Sequence, residues 1–334
     1  MSAERPRPAA QTPLAGKGLS FADPVASGGY RWWYVDAFNA EKTAGMTLIA
    51  FVGSVFSPYY ATARRHPPAD PENHVSLNAI FYGPDRKRWA LTERGRPELR
   101  READLFQVGP SQISLADNVL TFEIDEWCVP IPSRLRGVVR VRMRHQNAEC
   151  LPLDDQGLHR WWPVSPVCDV AVELEKPGLS WQGTGYLDSN GGTVALESSF
   201  RNWHWMRVHR RDETGTVYYD SQLLDGAWRG LCLQHGDDGR VLSVTQDSEP
   251  ALDNLPPTTV WRMGRAVRSA ALPGSASTQI TTFEDTPFYA RSALSPSVQT
   301  DISSVMHESL DLERFSSRWV QTLLPFRMPR RAGW

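Results

Sequence analysis

Tyr186 and Asp188 stand two positions apart, as do His159 and Trp161, and in an extended chain each pair faces one side of its strand. A carboxyl, a phenol, an imidazole and an indole on such faces could form an acid site that holds little water. Aromatic walls bind a flat apolar ligand and raise the pKa of any carboxyl they enclose. A carboxylic acid kept protonated near neutral pH can give its proton to a weak base, and the rings can stabilise the cation that results. Residues 159–205 also hold Trp162, Trp181, Trp203 and Trp205, while Trp33 and Tyr34 add rings earlier in the chain. Tryptophan is abundant throughout, 13 in 334 residues, so core packing is the competing reading for each of these rings.

The elements that must position these groups read as strands. Residues 29–37, 45–56, 74–82, 88–92, 112–115, 119–124 and 136–144 carry β-formers between Gly, Pro, Asn and Asp turns. The second half repeats the texture at 170–174, 203–209, 216–220, 229–234, 241–246 and 278–283, and only 305–315 suggests a short helix. Short strands at such intervals predict an antiparallel sandwich or barrel, mostly β. Gly183, Gly185, Gly191 and Gly192 interrupt the pattern and suggest a domain boundary. The division is a leader at 1–18, an N-terminal β domain at 19–182 and a C-terminal β domain at 183–334, with Tyr186 and Asp188 at the junction, a frequent place for ligand sites.

Composition removes several classes. A net charge of −2, with no basic stripe interleaved with aromatics, speaks against nucleic acid. No phosphate-binding loop, dinucleotide fingerprint or nucleophile elbow is present. His204 and His209, five apart, face opposite sides of one strand, and no H-E-x-x-H occurs, so no metal site is expected. Cys128, Cys150, Cys168 and Cys232 form no C-x-x-C pair and read as reduced and structural. The apolar run 46–56 is too short to span a bilayer and reads as a buried strand. Glu123 and Asp125 share a strand face opposite Phe122 and Ile124 and read as a solvated outer surface.

Several blocks in fixed order carry a resemblance: Gly28-Gly29-Tyr30-Arg31-Trp32-Trp33-Tyr34, Phe51-Val52-Gly53-Ser54-Val55-Phe56-Ser57-Pro58-Tyr59-Tyr60, Asp70-Pro71-Glu72-Asn73-His74, Thr92-Glu93-Arg94-Gly95-Arg96 and Gly185-Tyr186-Leu187-Asp188-Ser189-Asn190. In these the chain resembles the carotenoid 1,2-hydratases, the hydroxyneurosporene synthase family of phototrophic bacteria, over nearly its whole length after the leader. The resemblance implies two lipocalin-like antiparallel β-barrel domains. It also implies cofactor-free addition of water to the terminal double bond of an acyclic carotene such as neurosporene or lycopene. The family's functional His-x-Trp and Tyr-x-Asp pairs fall on His159, Trp161, Tyr186 and Asp188, with Asp188 as proton donor. Trp161 and Tyr186 would face the cation, and His159 would reprotonate Asp188 or take the proton from water. The implied partners are the carotenoid, a peripheral contact with the inner membrane from the cytoplasmic side, and other carotenoid-pathway enzymes. Two alternatives share the rings: a non-catalytic carotenoid or lipid carrier, which has no use for a buried acid, and a carbohydrate-active protein. The second would need two catalytic carboxyls about 5–10 Å apart, and no second acid stands near Asp188 in the sequence.

Overall fold

The computed structural model describes residues 18–83, 87–272, 278–296 and 300–331. Its first half forms strands β1 (Tyr30–Asn39), β2 (Gly45–Val52), β3 (Val75–Tyr82), β4 (Arg88–Ala90), β5 (Leu99–Arg101), β6 (Leu105–Val108), β7 (Ser111–Ala116), β8 (Val119–Trp127), β9 (Arg134–Met143), β10 (Leu151–Pro152), β11 (His159–Lys176) and β12 (Leu179–Gly192). They make one antiparallel sheet in the order β4-β3-β2-β1-β12-β11-β9-β8-β7-β6-β5, with β10 against β11. The second half adds β13 (Phe200–Arg210), β14 (Gly215–Leu223), β15 (Trp228–His235), β16 (Val241–Asp247), the hairpin β17 (Leu252–Leu255) and β18 (Arg265–Arg268), then β19 (Gln279–Asp285), β20 (Tyr289–Ser295) and β21 (Ile302–Asp311). Its sheet runs β16-β15-β14-β13-β21-β20-β19. Helices are short: α1 (Pro58–Ala63), α2 (Leu312–Ser316) and α3 (Arg318–Leu323). No helix among the described residues is long and apolar enough to cross a membrane.

The mostly β architecture of curled antiparallel sheets agrees with the sequence. The larger sheet curls on itself, bringing Trp33 of β1 within 5.7 Å of Phe106 of β6, ring centre to ring centre. Strand alternation then splits β1 between two cores. Trp33, Val35 and Ala37 enter the core inside the curl, whereas Tyr30, Trp32, Tyr34 and Phe38 enter a second core shared with Trp203, Trp205, Val217 and Met306 of the smaller sheet. β2 is buried along its whole length, as its apolar run requires.

The predicted division after residue 182 falls inside β12, whose pairing with β1 continues to Gly192; the chain changes sheet between Gly192 and Phe200. The glycines serve close approach. A Cβ on Gly183 would lie 1.9 Å from the Phe38 carbonyl oxygen, so Gly183 lets β12 lie tight against β1. The helix expected at 305–315 is confined to Leu312–Ser316, because residues 302–311 pair with β13 and β20 as β21. The leader expected at 1–18 lies outside the described residues, apart from Gly18.

Candidate functional site

β11 and β12 pair so that Trp161 stands opposite Asn190 and His159 opposite Gly192, while β1 sets Tyr34 opposite Asp188. Beyond Trp162 the ladder of β11 shifts register twice, at Pro163 and Pro166, where a residue without an N–H fits an interrupted ladder. Asp188 is buried and receives two hydrogen bonds on a single oxygen. Trp161 Nε1 donates to Oδ2 at 2.9 Å and Tyr186 Oη donates to it at 2.9 Å. Oδ1 is buried without a hydrogen-bond partner. Burial pushes the Asp188 carboxyl well above the usual carboxylate range, the two donors oppose this, and the charges of Glu308 and Asp36 add to it. The neutral form is therefore favoured over the carboxylate, and Oδ1, which receives no donor, is the oxygen free to carry a proton.

His159 belongs to a different set of bonds. Its Nδ1 meets Tyr30 Oη at 2.9 Å and its Nε2 meets Ser199 Oγ at 2.9 Å. Burial lowers the imidazole to about 3, so it is neutral under ordinary conditions. A Cβ on Gly192 would come within 2.6 Å of the Tyr30 ring and 2.7 Å of His159 Nδ1. A glycine there is what lets these two side chains meet over β12.

The smaller sheet closes the site from the other side. The ring of Trp205 lies 5.2 Å from that of Tyr186 and 5.6 Å from that of Tyr34, and Tyr219 lies 5.4 Å from Trp161. An apolar cavity of about 330 Å³ is lined by Trp32, Tyr34 and Trp203 among others, and Tyr34 stands opposite Asp188 in the β1–β12 register. Two further carboxyls face this layer, which sequence reasoning missed. Glu308 accepts from Tyr34 Oη at 2.7 Å and from Arg291 Nε at 2.7 Å. Asp36, opposite Tyr186 in the β1–β12 register, is bonded by Arg207 Nε at 2.7 Å. The expectation of no second acid near Asp188 is thus corrected, but each of these acids is matched by a buried arginine and Asp188 by none. Asp36 could have been found from alternation, two positions after Tyr34. Glu308 was hidden by reading its strand as a helix.

Of the predicted residues, Asp188, Tyr186, Trp161, Tyr34, Trp203 and Trp205 come together, with His159 at the rim of the same core. Trp33 and Trp162 do not: each follows or precedes a site residue by one position and so points into the core inside the curl, where Trp162 Nε1 donates to the Asn147 carbonyl. Trp181, odd-numbered on β12, packs against that same core. Asp125 lies on the outer face paired with Arg134, and Glu123 is exposed. His204 bonds Ser309 on β21, and His209 bonds the Pro166 carbonyl on the opposite side of β13. The four cysteines are free. Among the described residues no cluster of His, Cys, Asp and Glu has the arrangement to hold a metal ion.

Comparison with known proteins adds a family. The family described as carotenoid hydratase CrtC matches residues 48–334. The acyclic carotenoid 1,2-hydratase of Thiocapsa roseopersicina is 43% identical over 95% of this chain and 77% of its own length. That of Rhodobacter capsulatus is 37% identical over 86% of this chain and 99% of its own. Among solved structures, kievitone hydratase from Nectria haematococca superposes with a TM-score of 0.53 at 11% identity, covering 90% of this chain and 94% of that one. At that identity the likeness is one of fold.

Proposed function

This chain belongs to the carotenoid hydratase family, and from that premise we infer that it is a hydro-lyase adding water to the terminal double bond of an acyclic carotene, such as neurosporene or lycopene. The observation that carries the reading to particular atoms is the asymmetry of Asp188, whose Oδ2 holds both donors while its buried Oδ1 holds none.

An isolated trisubstituted alkene is a very weak base, so the first step needs a real acid in a dry site. Asp188 Oδ1–H gives its proton to the less substituted alkene carbon; the π pair becomes the new C–H bond and the other carbon becomes a tertiary cation. As the carboxylate forms, the bonds from Trp161 and Tyr186 become charge-assisted and stronger, which favours transfer. The rings of Trp205, Tyr186, Trp161 and Tyr34 surround the cation, and such contacts are worth roughly 2 kcal/mol or more when desolvated. Water then forms the C–O bond and returns a proton to Asp188, so the acid is restored and no cofactor is consumed. With both ring nitrogens engaged and its basicity suppressed, His159 acts in this scheme by holding Tyr30 and Ser199 in place, and Asp188 itself takes back the proton. Trp32 and Trp203 receive the hydrocarbon from the cavity.

We further propose that the chain works at the cytoplasmic face of the inner membrane as a peripheral protein, where its substrate dissolves. The divisions 19–182 and 183–334 are best replaced by two sheet units meeting at residues 193–199. The experiment is direct. Purified full-length chain, dialysed against a chelator and supplied with detergent-dispersed lycopene in ¹⁸O-water, should yield a tertiary alcohol bearing the label. Recovery of bound but unchanged lycopene would make the chain a carrier, and activity restored only by metal or nucleotide would overturn the cofactor-free step.

A further inference from the structure

We propose that the helical segment at residues 318–326 is a docking surface for an anionic lipid bilayer, and that it sets the mouth of the cavity directly against the membrane. The proposal rests on the hydration reading only in taking the substrate to be dissolved in lipid.

α3 runs straight into a 3₁₀ turn, Leu324–Phe326, and this short element is apolar on two sides. Val320 and Leu324 are buried and line the cavity. Trp319, Leu323 and Phe326, at i, i+4 and i+7, are exposed by 47%, 39% and 72%. That spacing places the three on one helical stripe, and large exposed apolar patches mark interaction sites. Trp319 stacks on Trp261 with centres 5.9 Å apart, and Val260, next to Trp261, is 72% exposed.

Three observations select lipid as the occupant. The stripe is continuous with the cavity, since Leu323, Phe326 and Trp261 line it together with Trp32, Tyr34 and Trp203. At about 330 Å³ the cavity is near the lower limit for a drug-sized ligand. A long polyene therefore puts only its reacting end inside and leaves the remainder in an apolar medium at the mouth, which a bilayer supplies and water does not. Lastly, the stripe is flanked by cations. Arg318 and Arg262 are exposed, and Arg327, beside Phe326, lies over the Trp89 ring at 4.5 Å and 3.8 Å from the Glu284 carboxylate. Apolar and tryptophan side chains ringed by arginines are what an anionic headgroup layer accommodates.

Flotation of the full chain with vesicles of phosphatidylcholine mixed with phosphatidylglycerol tests this. Wild type should float with them and much less with phosphatidylcholine alone. Phe326→Ser removes a ring that is already exposed, so its thermal midpoint should hold while its vesicle partition falls roughly tenfold or more. Arg318→Glu should weaken partition by about fivefold or more, in a salt-sensitive way, and should hydrate detergent-dispersed lycopene as wild type does. Equal flotation of Phe326→Ser and wild type would overturn the proposal. So would a dimer in sedimentation that Phe326→Ser converts to monomer, because the stripe would then be covered by a second copy. Flotation that responds to both variants in a protein that hydrates nothing would support the surface and count against the hydratase reading alone.

Discussion

Asp188 and Asp36 lie on adjacent strands, face the same layer between the sheets and are both buried, yet they are different chemical objects. Arg207, itself buried, clasps Asp36 and offsets part of the upward pull of burial on its carboxyl. Asp188 has only neutral donors, both on one oxygen. Burial raises both carboxyls, and the arginine that offsets this at Asp36 is missing at Asp188. Where an arginine is supplied, the same residue type becomes a strut between the two sheets, as Glu308 does with Arg291 and Tyr34.

The widest separation should come from replacing each acid by its amide. Asp188→Asn keeps the size and most bonds but cannot give a proton, so turnover per folded molecule should drop by roughly 10²- to 10⁴-fold. Asp125→Asn, on the outer face, should leave turnover unchanged. Near-normal turnover in Asp188→Asn would erase the distinction drawn here. Asp36→Asn should do the opposite. It leaves Arg207 buried and uncompensated, which typically costs about 3–5 kcal/mol; denaturant unfolding should register that loss while surviving molecules keep far more turnover than Asp188→Asn.

Smaller changes sharpen the comparison. Trp205→Leu removes the ring that packs on Tyr34 and Tyr186, and loss of its cation–π contact should lower the rate by roughly thirtyfold, with substrate binding affected less. The last difference is one of pH. The Asp188 carboxyl is raised on folding, so its contribution to stability is full below the ordinary carboxylate range and is lost as pH rises towards its folded value. His159 and His204 are lowered to about 3 and His307 to about 4, so their contribution is full above roughly pH 6.5 and is lost as pH falls towards those values. These histidines should thus cost wild type stability on acidification below roughly pH 6.5, against the opposite trend of the raised Asp188 and Asp36 carboxyls. Relative to wild type, Asp188→Asn should grow more stable as pH increases from about 4, and parallel stability curves for the two proteins would refute a neutral Asp188.

Much of the candidate site is legible in the sequence, because alternation is local. Tyr186 with Asp188 and His159 with Trp161 required only that their segments be extended. The same rule, applied strictly, would also have removed Trp33 and Trp162, since neighbours on a strand cannot face one layer. What could not be read depends on distance along the chain. Asp36 meets Arg207 across 171 positions and Tyr34 meets Glu308 across 274, and nothing in either segment announces its partner. The glycines of β12 misled for a physical reason: small residues mark close approach of backbones as well as breaks, and Gly183 is the former.

The placement of Asp188 between two sheets makes its dryness and its charge depend on each other. While the layers are pressed together, the carboxyl stays neutral and nothing opposes their contact. Once they part and water reaches Oδ1, the proton is lost at neutral pH, and a bare carboxylate then resists being covered again. The neutral form of this carboxyl is thus tied to the contact between the layers, since burial is the main cause of its raised pKa. Loosening the contact between the sheets beside Asp188 should therefore let this carboxyl fall back towards the ordinary carboxylate range.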